Sequence, residues 1–311
     1  MSVPMWTPEV VVDAELARAM IAARFPALRA ERVERLGQGW DNAAYLVDGA
    51  AVFRFPQRGV AAPLIATEIT VLPLIAPAVA PVAIPIPRWV GEPGGGYPWR
   101  FAGYPLLPGT PVDRASLDDG ALAALARPLG RFLRGLHGVD TAPAVAAGLP
   151  PDLIGRLDPA KRVPQVRERL AALVRAGVVA EADGAALLDR FVAEAPQGEP
   201  ARLAVLHGDL YARHLIVAAN GALTGVIDWG DLHLGDPAVD LSVVHEIVPH
   251  GAHDAFFAEY GAVDERTWRR ARWRAIHHAV LVADYGTVIG DGALAEGGLA
   301  GLRRIGALPA R

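Results

Sequence analysis

The chain has 311 residues, of which 52% are hydrophobic and 21% charged, a composition typical of a globular protein large enough for two lobes. Its net charge of −4 gives no basic excess to neutralise phosphates, so we expect no nucleic-acid partner. There is no cysteine, which excludes disulfides and thiolate metal sites, and the only lysine is Lys161.

The most apolar segment, residues 71–87, contains five prolines. Because proline interrupts helices, we expect no membrane-spanning helix here and no membrane partner. Residues 1–8 lack the basic and apolar segments of a secretory signal, so we expect a cytoplasmic location.

The first third of the chain predicts an antiparallel sheet with one main helix. Asp13 can cap an amphipathic helix that begins at Ala14, and Asp48-Gly49 is typical of a two-residue hairpin. A second helical stretch, 63–72, contains Glu68. The predicted strands are 33–36, 44–47, 51–55, 86–90 and 99–104.

The rest of the chain is predicted to be mainly helical. Segment 106–111 is rich in proline and glycine and is the expected connection between two lobes, 1–105 and 106–311. Ser116 begins a sequence that resembles a capping box and predicts one long helix to about His137. The predicted fold class is therefore α+β, with a sheet lobe followed by a helical lobe.

Two aspartates follow apolar, strand-like segments in the second lobe. Asn220-Gly221 predicts a hairpin that joins Ala204–Leu206 to Leu223–Ile227, which would bring Asp209 and Asp228 together. One carboxylate could take the proton of an attacking hydroxyl, and the other could hold magnesium on nucleotide phosphates. Magnesium needs only one or two protein carboxylates. This arrangement predicts phosphoryl transfer to a small molecule.

Three motifs in this part of the chain occur together. They are His207-Gly208-Asp209 followed by His214, Ile227-Asp228-Trp229-Gly230-Asp231, and Gly235-Asp236-Pro237-Ala238-Val239-Asp240. With them the chain resembles the aminoglycoside phosphotransferase family, whose pattern macrolide phosphotransferases and other antibiotic kinases share. The resemblance implies a bilobal, protein-kinase-like fold that binds ATP or GTP with Mg²⁺ between the lobes. The implied acceptor is a hydroxyl of an aminoglycoside-type antibiotic; a macrolide or another small metabolite is the alternative.

The same resemblance assigns roles to residues of the second lobe. It implies that Asp209 is the catalytic base and that Asp228 binds the metal. His214 stands where most of the family has asparagine, and in this it is similar to the macrolide enzymes and the aminoglycoside 2″-phosphotransferases. Metal binding and a purely orienting role for His214 both stay open. Asp240 is expected to brace the loop that carries Asp209, and His207 to be a scaffold residue.

In the first lobe, Arg54 stands where the fold usually has a lysine that binds the nucleotide phosphates and pairs with a helix glutamate, here Glu68. Arginine can bind phosphate through two nitrogens. The alternative is an exposed arginine on an edge strand. Gly37 and Gly39 lie between the first two strands and could place backbone amides over the phosphates.

Other features of the second lobe are interpreted as structural. We interpret His277-His278 as a packing feature, and the segment 268–274, with four arginines, as a mostly solvated helix face. A cationic acceptor would need an acidic pocket. The candidates for it are Asp231, Glu246, Asp254, Glu259, Asp264, Glu265 and Asp284.

The departures at Arg54 and His214 also permit a different class of function. This alternative is a nucleotide-binding pseudokinase that serves as an interaction module. The predicted partners of the enzyme are a nucleotide and a small-molecule acceptor, and the predicted state is a monomer or a weak dimer.

Overall fold

The computed structural model describes residues 8–38 and 42–309. It confirms the α+β class, with an N-terminal antiparallel sheet of order β1-β2-β3-β5-β4 and a mainly helical C-terminal lobe. Helix α1 (Ala14–Arg24) precedes the sheet and is capped by Asp13, as predicted. The strands are β1 (Val33–Gln38), β2 (Asn42–Val47), β3 (Ala51–Pro56), β4 (Trp89–Gly91) and β5 (Phe101–Pro105).

Strand β3 presents different chemistry on its two faces. Phe53 and Phe55 are fully buried on one face, where Phe55 stacks on Phe101 with 4.7 Å between the ring centres. Because side chains alternate along a strand, Arg54 points to the opposite face. Helix α2 (Ala62–Val79) covers that face and brings Glu68 next to Arg54.

Helix α2 is longer than predicted and continues through Pro73 and Pro77. Leu72 and Ile75 are fully buried beside these prolines, and we infer that their packing outweighs the lost backbone hydrogen bonds. Among the described residues, one helical segment, Gly59–Val79, is long and apolar enough to span a membrane by length and composition alone. This helix enters the segment of the prediction, 71–87, only as far as Val79, so the expectation of no membrane partner stays a prediction.

The predicted long helix to His137 is two helices, α3 (Asp119–Ala124) and α4 (Ala126–His137). Asp118 caps α3 by accepting a hydrogen bond from the N–H of Ala121, so the expected helix start at Ser116 was wrong. At the break, the N–H of Leu125 donates a hydrogen bond to the carbonyl of Leu122, three residues back, as in a 3₁₀ turn. The remaining helices are α5 (Thr141–Ala146), α6 (Pro159–Arg175), α7 (Glu181–Ala193), α8 (Ala238–Ile247), α9 (His253–Tyr260), α10 (Glu265–Ile289) and α11 (Gly292–Arg304).

The hairpin at Asn220-Gly221 exists, but it joins strands other than the predicted pair. It connects β8 (Leu215–Val217) to β9 (Leu223–Val226), and β7 (Ala204–Leu206) pairs instead with β10 (His233–Gly235). The predicted pairing of 204–206 with 223–227 was wrong because three-residue strands carry too little pattern to reveal their partners. The other short strand is β6 (Thr110–Pro111), which pairs with β8.

Helix α10 lies between the two apolar cores of the C-terminal lobe. Trp273 stacks on Phe191 of α7 with 4.4 Å between the ring centres. Arg270 and Arg274 are buried as well, so the interpretation of segment 268–274 as a mostly solvated face was wrong. Arg269 is exposed. The buried arginines give α10 a charged face that packs towards the motif residues.

Candidate active site

The loop that carries Asp209 connects β7 to β8 and is held by a buried carboxylate. Asp240, in the first turn of α8, accepts hydrogen bonds from the backbone N–H groups of His207 and Gly208, each at 2.8 Å. Its Oδ2 also lies 3.2 Å from Nε2 of His137. Asp240 therefore braces the start of this 207–214 loop, as the resemblance implied.

Gly208 occupies a conformation in this loop that other residues rarely adopt. Its φ is +88°, and an added Cβ would lie 2.3 Å from the carbonyl oxygen of Asp231. The buried Arg156 donates a hydrogen bond to the carbonyl of Gly208 at 3.0 Å and pairs with both Asp152 and Asp231. The backbone before Asp209 is thus fixed from two sides.

Arg54, Glu68 and Asp228 come together at the other end of the site. Arg54 Nη1 lies 2.9 and 3.0 Å from the two carboxylate oxygens of Glu68, and Nη2 lies 3.0 Å from Oδ1 of Asp228. Tyr104 donates a third hydrogen bond to Glu68, at 3.0 Å. Burial would lower the pKa of Arg54, but the charges of Glu68 and Asp228 raise it above its ordinary value. The guanidinium therefore stays charged.

The strand that carries Arg54 is not an edge strand. β3 pairs with β2 on one side and β5 on the other, and the Arg54 side chain is only 16% exposed. The alternative of an exposed arginine on an edge strand was therefore wrong.

His214 lies between the two aspartates. Its Nδ1 donates a hydrogen bond to the backbone carbonyl of Asp209 at 2.7 Å and lies 3.9 Å from Oδ2 of that residue. Its Nε2 lies 3.5 Å from Oδ2 of Asp228. Asp228 follows β9 with a φ of +62°, which is uncommon outside glycine. This backbone turn brings its carboxylate towards both His214 and Arg54.

The charges around the aspartates keep both of them ionised. Burial would raise the pKa of Asp209, but the hydrogen bond and charge of His278, with His214, hold it well below its usual range. Burial acts in the same way on Asp228, and there Arg54 and His214 lower the pKa.

The donor set around Asp228 fits a magnesium ion. The Asp228 side chain is half exposed and offers hard carboxylate oxygens. His214 Nδ1 is engaged with a carbonyl, which leaves Nε2 directed towards Asp228, but an imidazole nitrogen is a poorer ligand for Mg²⁺ than a carboxylate oxygen. Within residues 8–38 and 42–309, no cluster of three or more metal-binding side chains occurs. Magnesium does not require one, because water and nucleotide phosphates complete its shell.

The predicted glycines of the first turn are only partly described. Gly37 lies in β1, opposite Ala44, at an irregularity in the pairing that follows Arg35. Gly39 lies outside the described residues. A phosphate-binding role for these two glycines stays a prediction.

Two residues that contact Asp209, His278 and Arg274, were not predicted as part of the site, and Glu246 behind them was considered only for an acidic pocket. His278 Nε2 and Arg274 Nη2 lie 3.3 and 4.0 Å from Oδ1 of Asp209, and His278 Nδ1 lies 3.0 Å from Glu246. The interpretation of His278 as a packing feature was therefore wrong. The adjacent His277 accepts a hydrogen bond from Arg274 at Nδ1 and donates one to Gln165 from Nε2, each at 2.9 Å. A histidine pair in an apolar helix does signal that polar partners are needed.

The acids considered for a cation-binding pocket are mostly neutralised. Asp264 caps α10 by accepting a hydrogen bond from the N–H of Thr267. Most of the others have basic partners, which weakens their attraction for a cationic acceptor. These pairs are Asp231 with Arg156, Glu246 with His278, Glu259 with Arg131, Glu265 with Arg269, and Asp284 with Arg169.

Comparison with known proteins defines the class. The model of the phosphotransferase enzyme family (APH) matches residues 32–274, and the chain belongs to this family. A curated relative, the uncharacterized protein YcbJ of Bacillus subtilis (strain 168), is 28% identical over 71 residues, which span only 23% of either chain.

Solved structures of antibiotic phosphotransferases cover nearly the whole chain. The GDP complex of aminoglycoside 2′-phosphotransferase-IIIa is 26% identical, with a TM-score of 0.68 over 95% of this chain and 99% of that one. Macrolide 2′-phosphotransferase MphH from Brachybacterium faecium is 25% identical, with a TM-score of 0.62 over 96% and 98%. The GDP and kanamycin complex of APH(2″)-IIIa is 26% identical, with a TM-score of 0.65 over 94% and 98%. The protein thus has the kinase-like fold of these phosphotransferases.

Proposed function

We propose that this protein transfers the γ-phosphate of ATP or GTP to a hydroxyl of a small, sugar-containing molecule, with aminoglycoside-type antibiotics as the first acceptors to test. One observation carries the proposal. Oδ2 atoms of Asp209 and Asp228 lie 3.9 and 3.5 Å from the same imidazole, that of His214, and Arg54 reaches Asp228 from the sheet lobe. Two carboxylates therefore face one imidazole, and the guanidinium of Arg54 contacts one of the two.

In the proposed reaction, the acceptor oxygen forms a bond to the γ-phosphorus while the bond to the bridging oxygen of the diphosphate breaks. The hydroxyl proton passes to Asp209. Because its pKa is held low, Asp209 remains a carboxylate that orients the hydroxyl and takes the proton only as the new bond forms. Alignment and electrostatic stabilisation supply the rate enhancement, and no covalent enzyme intermediate is needed.

The remaining residues would position the donor. Arg54, held by both oxygens of Glu68, would bind the nucleotide phosphates. Asp228 and His214 would hold Mg²⁺, which neutralises charge on the phosphates when bound. The GDP complexes of the relatives support testing GTP beside ATP.

The paired acids favour a second acceptor class. An aminoglycoside is a polycation, and the carboxylates that would attract it, such as Glu259 and Asp284, are bound to arginines. A macrolide is less cationic and needs an apolar cleft instead. The likeness to MphH supports including this class.

A screen separates these possibilities. Purified protein is incubated with Mg²⁺, ATP or GTP, and panels of aminoglycosides, macrolides and sugars, and product is detected by the mass of one added phosphate. We expect a phosphorylated product from the wild type. Asp209→Ala should lose turnover by orders of magnitude and keep nucleotide binding. Nucleotide binding without product and without magnesium-dependent hydrolysis would instead support the pseudokinase.

Three further expectations stay predictions. These are the lobe boundary between residues 105 and 106, the cytoplasmic location, and the monomeric or weakly dimeric state.

A further inference from the structure

A buried cluster of charges lies directly behind the proposed catalytic carboxylate. It consists of Asp209 from the 207–214 loop, Glu246 from α8, and Arg274 and His278 from α10. The side chains of Glu246, Arg274 and His278 are each at most 8% exposed, whereas that of Asp209 keeps 34% of its surface exposed. The cluster therefore contacts Asp209 from the protein side and leaves its other side open.

The geometry requires hydrogens on both ring nitrogens of His278. Nδ1 lies 3.0 and 3.2 Å from the two oxygens of Glu246, and Nε2 lies 3.3 Å from Oδ1 of Asp209. Ionised carboxylates only accept hydrogen bonds, and a neutral imidazole has one N–H to donate. Both contacts are satisfied together only by the imidazolium.

The charge of the cluster balances in this state. His278 and Arg274 supply two positive charges, and Asp209 and Glu246 supply two negative charges. Buried charges are tolerated when they are paired in this way. Burial would lower the pKa of His278, but the charge of Glu246 and the hydrogen bond to Asp209 raise it to about 9.

The two oxygens of Asp209 differ in their surroundings. Oδ1 faces His278 and, at 4.0 Å, Arg274. Oδ2 faces His214 at 3.9 Å, beyond ordinary hydrogen-bond distance. Oδ1 is thus engaged by the cluster, and Oδ2 keeps the capacity to accept a hydrogen bond.

Building on the proposed function, we propose that His278, held as an imidazolium by Glu246, is a positioning residue that fixes Oδ1 of Asp209 and leaves Oδ2 to receive the acceptor hydroxyl. In the part of the chain that the structure describes, the charged and titratable groups around His278 are Asp209, Glu246, Tyr211 with its ring centre 4.9 Å away, and Arg274 and His277 on its own helix. Loss of the imidazolium would free the carboxylate to rotate and would raise its basicity.

The kinetic test uses His278→Gln, which removes the charge, and His278→Lys, which restores one. We expect His278→Gln to lower kcat by about 100-fold, the cost of a misplaced reacting group, with the nucleotide KM unchanged. The fall in wild-type activity as pH rises through about 9 should disappear in this variant. His278→Lys should recover part of kcat. Unchanged kcat and an unchanged pH profile in His278→Gln would overturn the proposal.

His245→Gln is the matched control. His245 is also a buried histidine, immediately before Glu246, but its Nε2 donates to the carbonyl of Trp268 at 3.3 Å and its ring packs on Trp268. Burial lowers its pKa to about 3, so it is neutral. This variant should lose stability but keep both kcat and the pH profile.

A spectroscopic test does not depend on finding the acceptor. Nitrogen NMR of the histidine rings should show His278 doubly protonated near neutral pH in the wild type and neutral in Glu246→Gln. A neutral His278 in the wild type would refute the positioning role. A wild type that gives these spectra but phosphorylates no acceptor would count against the proposed function alone.

Discussion

The brace formed by Asp240 yields a prediction about stability that needs no substrate. Its carboxylate is fully buried and accepts the N–H groups of His207 and Gly208. In Asp240→Ala both donors lose their acceptor, and each buried, unsatisfied N–H costs about 1–3 kcal/mol. We therefore expect the free energy of unfolding to fall by roughly 2–6 kcal/mol. Asp240→Asn keeps one acceptor oxygen and should lose about half as much.

The assay is urea unfolding followed by circular dichroism, with linear extrapolation to water. Asp189→Ala is the control, since this aspartate is exposed on α7 and should change stability by no more than about 0.5 kcal/mol. A loss below about 1 kcal/mol in Asp240→Ala would refute the reasoning, because the two N–H groups would then have found other acceptors.

The remaining predictions concern pH, Arg54 and Gly208. Burial would raise the pKa of Asp240, but His137 and the N–H of Gly208 lower it below its usual range. The ionised carboxylate therefore stabilises the fold above about pH 4, and this contribution is lost as the pH falls. The stability gap between wild type and Asp240→Asn should therefore shrink in acid urea titrations; a gap that widens would contradict this. Arg54→Lys keeps the charge but replaces by one nitrogen the two that contact Glu68 and Asp228. Steady-state kinetics should show the nucleotide KM raised by about 10-fold or more, whereas an unchanged KM would place Arg54 away from the nucleotide. Gly208→Ala should lower the melting temperature far more than Gly221→Ala. Both glycines have positive φ, but only at position 208 would the added Cβ clash with a neighbouring atom. Equal losses in the two variants would rule out the clash.

Short-range signals predicted most of the first lobe. Asp48-Gly49 forms its hairpin with positive φ at both residues, and the alternation along β3 places Arg54 opposite its aromatic neighbours. The Asn220-Gly221 turn could be predicted equally well, but the two strands that it joins could not. Strands β7, β8 and β10 have three residues each, and their pairing depends on contacts distant in sequence. The local sequence pattern therefore predicted the positions of the turns better than the pairing of the strands.

The same limit applies to the site. Asp209, His214 and Asp228 lie within one segment whose motifs are recognisable, so they could be predicted to meet. His278 lies at the middle of α10, and Glu246 lies on a different helix, α8. Nothing local in either helix indicates the contact with Asp209, because it arises from the packing of α8 and α10. Burial of a polar group predicts that a partner exists, but only the tertiary structure identifies it.

Arginine at the position of the usual lysine has a consequence for chemical labelling. Nucleotide analogues that acylate amines depend on a nucleophilic lysine beside the phosphates, and a guanidinium stays protonated and does not react in that way. The sole lysine, Lys161, is in α6, where its Nζ lies 3.4 Å from the carbonyl of Ile154. Amine-directed kinase probes should therefore leave the Arg54 site unmodified. Dicarbonyl reagents that attack guanidinium groups are the suitable choice for mapping it.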